Sequence, residues 1–190
     1  MFHPPIAENV LRNRLYQLPA YEVNARAFGL RGAYVPWETG GTGGFARDNR
    51  INHIEIHVGP DIALFVKQYV QLTRNMSFLR DAFPLLRAIS DFVVSRVNRT
   101  DEHGWMSIDT VALPASTDPY VFATAARAAL TMSQHLHLTQ VEGSDEIPKD
   151  VDNDLYTNAV SVQALETALD AAQTLDIVLP PRLRANWSTT

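Results

Sequence analysis

The sequence is organised around Glu142-Gly-Ser-Asp-Glu-Ile-Pro-Lys-Asp-Val-Asp-Asn-Asp-Leu-Tyr-Thr-Asn158, an acidic turn directly ahead of a long apolar pattern. The pattern runs on to Pro180-Pro181 and predicts one helix, whose packing face is Ala159, Val162, Leu165, Leu169 and Ala172. Asp and Asn are common at helix starts, so a solvated capping turn is the better interpretation of the acidic residues alone. Neighbouring carboxylates also raise one another's pKa, which suits a general acid.

Working outward, the rest of the chain repeats the helical spacing. Helices are predicted from Pro4 to about Leu18, from Ala20 to Phe28, from Pro60 onward and from Phe78 to Val97. Ile54–Val58 alternates apolar and polar residues, which is typical of a short strand or an extended loop. Ser77 is the predicted N-cap of the helix that starts at Phe78. Helix pairs without clear strands favour an all-α toroid over a sheet fold.

The expected apolar faces of these helices follow the same spacing. The first helix should bury Ile6, Val10, Leu11 and Leu15; the third Ile62, Phe65, Val66, Tyr69 and Leu72; and the fourth Leu79, Phe83, Leu86, Ile89, Phe92, Val93 and Val97.

Composition sets the outer bounds. The 190 residues, 46% hydrophobic and 19% charged, suit a single globular domain. A net charge of −5 argues against a nucleic-acid partner held by phosphate contacts. We expect no membrane partner, because no apolar run reaches the length of a span. The absence of a recognisable signal peptide predicts a cytoplasmic location by default.

A glycine-rich stretch lies between the second and third helices. Its glycines, at positions 40, 41, 43 and 44, predict a flexible loop that allows close approach to a ligand. No strand precedes them and no helix follows, so a dinucleotide-binding loop is excluded. Trp37 and Glu38 stand just ahead of the glycines, and an aromatic ring beside a carboxylate suits a sugar. A core tryptophan is the alternative.

The polar residues suggest two types of metal site. His53 and His57, with Glu55 or Asp61, could in principle bind a metal, but a zinc site needs three or four converging ligands and no compact motif is present. The alternating aspartates of the acidic turn lack the glycine and the final glutamate of a calcium-binding loop. With no cysteine in the chain, we predict neither metal nor cofactor.

Three motifs in order resemble glycoside hydrolase family 65, in its acid-trehalase-like branch. They are Gly32-Ala-Tyr-Val-Pro-Trp-Glu-Thr-Gly40, Glu55-Ile-His-Val-Gly-Pro-Asp-Ile-Ala63, and Gly143-Ser-Asp-Glu146 followed by Val151-Asp-Asn-Asp-Leu-Tyr-Thr-Asn158. The resemblance implies that residues 1–190 form a single domain, a partial (α/α)6 toroid equivalent to the central part of the family's catalytic domain. Such a part should leave apolar helix faces exposed, which predicts self-association or instability.

The resemblance also implies roles for individual residues. Glu146 matches the family's general acid, with Asp145 beside it to raise its pKa. His57 matches a family histidine, which implies a role either near the sugar or in ordering the loop. The implied substrate-binding residues are Trp37, Glu38, His57, Asp145 and Asn158.

The implied reaction is inverting cleavage of an α-glucosidic bond. In the family's hydrolases a carboxylate activates water, and in its phosphorylases inorganic phosphate attacks instead. Glu38 or Asp61 could act as the base, but no family motif supports either residue, and the base is expected outside this chain.

Residues 98–142 depart from the family. The connection there is usually short and often a β-hairpin, whereas Asp118-Pro119 predicts an inserted helix from Tyr120 to about Leu138. The first hypothesis is therefore a truncated α-glucoside hydrolase or phosphorylase, active only with the rest of its domain. The insertion and the altered acidic turn leave a second hypothesis open, a non-catalytic helical remnant that binds sugar or a protein partner.

Overall fold

A computed structural model describes residues 3–46, 55–96, 99–100, 106–107 and 155–188 of the chain. Its elements in order are α1 (Pro4–Tyr16), α2 (Leu18–Ala27), α3 (Val58–Thr73), α4 (Met76–Arg96), β1 (Arg99–Thr100), β2 (Met106–Ser107), α5 (Leu155–Thr174) and α6 (Pro181–Ser188). The predicted helical architecture is confirmed, with boundaries that differ by a few residues. Among the described residues, no helix is long and apolar enough to cross a membrane.

Local signals account for most of the helix ends. Pro19 lies in the first turn of α2, where its missing N–H costs nothing. Gln17 is both the C-cap of α1 and the N-cap of α2, so the two helices meet there. The N-cap of α4 is Asn75, whose Oδ1 accepts the Phe78 N–H at 2.9 Å. Ser77 lies inside the first turn of that helix, so the predicted Ser77 cap is wrong. The Asn75 side chain, two residues earlier, accepts a hydrogen bond from one of the free N–H groups at the helix start.

Three long helices form the centre of the core. α3 and α5 pack against each other and against α4. Fully buried residues of these helices include Val66, Leu86, Ile89, Ala164 and Ala168. Small alanines on α5 let its backbone come close to its neighbours, because they have no long side chains to keep the helices apart. Every residue predicted for the buried face of α4 that the structure describes is buried.

Three predicted faces were partly wrong. On α1 the buried residues are Ala7 and Leu11, while Ile6 and Val10 are exposed. Leu72, at the end of α3, is 65% exposed because the helix ends at the next residue, beyond its packing neighbours. Ala159 of α5 is exposed as well. Exposed apolar groups of this kind favour association between molecules, and self-association remains a prediction.

A small hairpin follows α4. Arg99 pairs with Ser107 and Thr100 with Met106 in an antiparallel arrangement. The sequence interpretation missed these strands, because two residues are too few to show alternation. They lie at the start of the segment assigned as an insertion, and the helix predicted from Tyr120 to Leu138 lies outside the described residues.

Candidate functional site

The segment ahead of Trp37 is buried and held by backbone hydrogen bonds. Ala33 N–H donates to the Ala88 carbonyl of α4 at 2.8 Å, and Tyr34 N–H donates to the Tyr21 carbonyl of α2 at 2.9 Å. Ala33, Tyr34 and Val35 are almost fully buried. The chain then emerges at Trp37, whose side chain is 42% exposed. The core therefore fixes the point at which this tryptophan reaches the surface.

The glycine-rich stretch is a tight turn packed on the protein itself. Gly40 N–H donates to the Gly44 carbonyl at 2.8 Å, and Gly43 N–H donates back to the Gly40 carbonyl at 2.9 Å. Gly43 has a φ of +94°, and a Cβ there would lie 2.9 Å from the Cβ of Ala20. The structure shows this stretch as a hydrogen-bonded turn, and its predicted flexibility stays a prediction. The close approach that glycine permits is to the protein's own helices.

Two buried amides hold this turn against the junction of α1 and α2. Gln17 Nε2 donates to the carbonyl oxygens of Gly40 and Gly41 at 3.3 and 3.1 Å. Asn24 Nδ2 donates to the carbonyl oxygens of Tyr34 and Gly43 at 3.3 and 3.0 Å. Both side chains are almost fully buried, so the turn that follows Trp37 and Glu38 is hydrogen-bonded to the interior of the protein.

His57 stands at the start of α3 between two carboxylates. Its Nδ1 lies 2.8 Å from Asp61 Oδ2, one helical turn further on, and its Nε2 lies 3.3 Å from Glu55 Oε1. Both ring nitrogens can donate only when the imidazole is protonated. His57 and Glu55 are buried, whereas a third of the Asp61 side chain is exposed.

The charge of His57 follows from competing effects. Burial lowers its pKa, but the hydrogen bonds and charges of Asp61 and Glu55 together outweigh burial and raise the pKa to about 9. His57 is therefore a buried cation at neutral pH. Among the described residues, Oε2 of Glu55 has no hydrogen-bond partner, so a carboxylate oxygen in this cluster retains acceptor capacity.

Two exposed aromatic rings pack against His57. The Trp37 ring centroid lies 5.8 Å from that of His57 at an interplanar angle of 60°. Tyr156, at the start of α5, has its ring centroid 5.4 Å away at 80°. The Tyr156 hydroxyl also donates to Asp61 Oδ1 at 2.8 Å. His57 thus joins the tryptophan loop, the start of α3 and the start of α5 in one cluster.

The structure describes four of the predicted site residues, Trp37, Glu38, His57 and Asn158. Trp37 and His57 are in contact. Glu38 is half-buried, and its carbonyl accepts the Ala46 N–H at 2.9 Å. Asn158 is half-buried on α5, two residues beyond Tyr156. Asp145 and Glu146 lie outside the described residues.

Sequence reasoning missed Tyr156 as a site residue and Asp61 as its partner. For Asp61, a usable signal was its spacing from His57. The two residues are four apart at a helix start, where side chains at that spacing meet. Across the described ranges, no group of three or more His, Cys, Asp or Glu side chains could hold a metal ion.

Comparison with known proteins identifies the family. The model of the glycosyl hydrolase family 65 central catalytic domain matches residues 1–121. A kojibiose hydrolase of Flavobacterium johnsoniae is 25% identical over 185 residues, covering 95% of this chain and 22% of the relative. A protein-glucosylgalactosylhydroxylysine glucosidase of Danio rerio is 28% identical over 184 residues, covering 95% and 24%.

A phosphorylase and a solved structure are also similar. The 1,2-alpha-glucosylglycerol phosphorylase of Bacillus selenitireducens is 29% identical over 189 residues, covering 92% of this chain and 21% of that protein. The chain spans between a fifth and a quarter of the length of these curated relatives. A candidate kojibiose phosphorylase from the human microbiome superposes with a TM-score of 0.70 at 14% identity, covering 96% of this chain and 22% of that one.

The fold likeness and the family match agree with each other, and the family match includes the first two sequence motifs. The all-α, partial (α/α)6 prediction is confirmed by the structural neighbour. Since the family model covers well over half of the residues, the chain belongs to glycosyl hydrolase family 65.

Proposed function

We propose that this protein cleaves an α-glucosidic bond by inverting displacement, with Glu146 as the general acid. The observation that carries the proposal is the His57 cluster, which joins the Trp37 loop to the first turn of α5. In the sequence the acidic turn leads directly into that helix. The relatives are a kojibiose hydrolase, a protein-glucosylgalactosylhydroxylysine glucosidase and a 1,2-alpha-glucosylglycerol phosphorylase, and these names support this class of reaction.

The proposed chemistry assigns each residue a task. Trp37 packs against the apolar face of a pyranose ring, while Glu38 and Asn158 hydrogen-bond its hydroxyls. Asp145 keeps the pKa of Glu146 high enough for it to hold a proton. Glu146 gives that proton to the glycosidic oxygen as the C–O bond breaks, and water or inorganic phosphate attacks the opposite face of the sugar.

His57 and Asp61 serve the site by holding it together. Both ring nitrogens of His57 face carboxylates, which leaves them engaged within the protein. Asp61 uses one oxygen for His57 and the other for Tyr156. An aspartate with both oxygens engaged is a poor general base, so we assign the base to neither Asp61 nor His57.

The test is the Glu146→Gln variant assayed on kojibiose and other glucose disaccharides, with and without inorganic phosphate. Removal of a general acid lowers kcat by about 10²- to 10⁴-fold, and Glu142→Gln in the same acidic turn is the matched control. Free glucose indicates hydrolysis and glucose 1-phosphate indicates phosphorolysis. Newly released glucose or glucose 1-phosphate in the β configuration supports inversion. An α product, or unchanged turnover in Glu146→Gln, overturns the assignment.

A second candidate function is sugar binding without catalysis. The family-model match ends at residue 121, before the acidic turn that carries Glu146. Saturable binding of kojibiose by calorimetry, with no release of glucose or glucose 1-phosphate in either buffer, would favour this function over cleavage.

A further inference from the structure

We propose that Tyr156 is a substrate-binding residue that packs with Trp37 against one pyranose ring, and that Asp61 is the positioning residue that fixes the Tyr156 ring. This inference rests on the proposed function and extends it to a residue that the sequence motifs did not assign to the sugar.

Tyr156 is exposed and yet held at two points. Its side chain is 42% accessible. Its hydroxyl is bound to Asp61 Oδ1 at 2.8 Å, and its ring meets the His57 ring nearly edge to face. An exposed tyrosine normally samples several rotamers and loses that freedom when it is fixed. Here the protein has already ordered the ring, so a ligand that packs on it incurs little further entropy cost.

Trp37 is exposed to the same extent and shares the same buried partner. Of the exposed aromatic side chains that the structure describes, which are Tyr16, Trp37 and Tyr156, the last two pack against His57. Because both rings stay exposed and their centroids lie 5.8 and 5.4 Å from that of His57, we infer that they border one small aromatic surface. Such a surface matches the C–H groups of a sugar ring, while the polar edges of the cluster match its hydroxyls.

The alternative is a purely structural link between α5 and α3. The two helices already pack extensively around Val66, Ala164 and Ala168. One hydrogen bond at a partly exposed site adds about 1 kcal/mol or less to the folding free energy. A structural role therefore predicts similar small effects for loss of the hydroxyl and loss of the ring, whereas a binding role predicts that loss of the ring dominates.

The experiment compares Tyr156→Leu, Tyr156→Phe and Asp61→Asn in the full chain. Kojibiose binding is measured by calorimetry in the Glu146→Gln background, so that turnover does not interfere, and urea unfolding of each variant monitors the fold. We expect Tyr156→Leu to weaken binding about 10-fold or more, the equivalent of one aromatic contact. Tyr156→Phe and Asp61→Asn keep the ring and should weaken binding about 2- to 4-fold.

Kinetics in the otherwise unchanged protein provide a second measurement. Tyr156→Leu should raise KM while changing kcat by less than about two-fold, because the ring binds substrate and transition state alike. Tyr16→Leu, at the end of α1, is the matched control for loss of an exposed tyrosine and should leave KM unchanged.

The outcomes separate this inference from the proposed function. If the protein binds or cleaves glucosides and folded Tyr156→Leu binds as tightly as Tyr156→Phe, this inference alone is overturned. If the protein cleaves no glucoside but binds one in a Tyr156-dependent way, catalysis fails and the inference stands. A chain that binds no glucoside overturns both.

Discussion

His57 Nδ1 and Asp61 Oδ2 lie 2.8 Å apart at the start of α3, with the imidazole buried and the carboxylate at the edge of solvent. Asp61 lies in the first turn of that helix, where a negative charge also interacts favourably with the helix dipole. The pair therefore anchors one end of α3 and supports the two exposed aromatic rings. Its charge state links the stability of the protein to pH.

The first prediction concerns that linkage. The pKa of His57 is about 9 in the folded protein and about 6.5 in an unfolded chain. A raised folded-state pKa gives stability that is fully present below about pH 6.5 and is lost as the pH rises through about 9. We expect the free energy of unfolding to fall by about 3 kcal/mol over that interval. Urea unfolding at several pH values measures it.

The matched variant for this prediction is His57→Gln, which keeps a polar side chain but cannot carry the charge. Its unfolding free energy should be lower near pH 6.5 and should change much less between pH 6.5 and 9.5. Parallel pH curves for the two proteins would show that His57 is not the group responsible.

The second prediction tests how closely the loop ahead of Trp37 packs on α4. Gly32 has a φ of +76°, and a Cβ there would lie 2.1 Å from the Ala88 carbonyl oxygen and 2.3 Å from Phe92 N. Backbone atoms of a helix cannot move aside easily, so Gly32→Ala should cost about 3 kcal/mol or more. Gly41→Ala meets no atom within 4 Å and should change stability by less than about 0.5 kcal/mol. Equal effects in thermal or urea unfolding would contradict this packing.

The third prediction concerns the amide that holds the glycine turn. Asn24→Ala removes both hydrogen bonds that Asn24 Nδ2 donates to the Tyr34 and Gly43 carbonyl oxygens. Loss of a buried donor costs about 1 to 3 kcal/mol. Because the turn follows Trp37, the variant should also raise the KM of any glucosidase activity. Asn13→Ala, on the exposed side of α1, is the control and should leave both quantities nearly unchanged.

The fourth prediction distinguishes two helix caps. Asn75→Ala should lower the free energy of unfolding by about 1 kcal/mol, because its side chain accepts the Phe78 N–H at the start of α4. Ser77→Ala, inside the first turn, should have little effect. If urea unfolding shows a larger loss of unfolding free energy for Ser77→Ala than for Asn75→Ala, Ser77 is the N-cap, as predicted from the sequence.

Sequence periodicity was most reliable where a helix packs on several sides. The buried face of α4 was predicted from Leu79 to Val93, because a long helix between other helices displays its apolar residues at regular spacing. The same rule failed for Ile6 and Val10 of α1. That helix has fewer neighbours, and nothing in its local pattern indicates which side they occupy.

By itself, the sequence determined the helical class, the order of the main helices and the family, because these depend on spacing and motifs that are local in the chain. It also singled out Trp37 and His57. Only the tertiary structure decided that Tyr156 reaches Asp61, a partner 95 residues away in the sequence. It likewise decided that the glycine turn packs on the α1–α2 junction. Contacts between distant segments depend on how the helices pack together, and local residue patterns do not specify that packing.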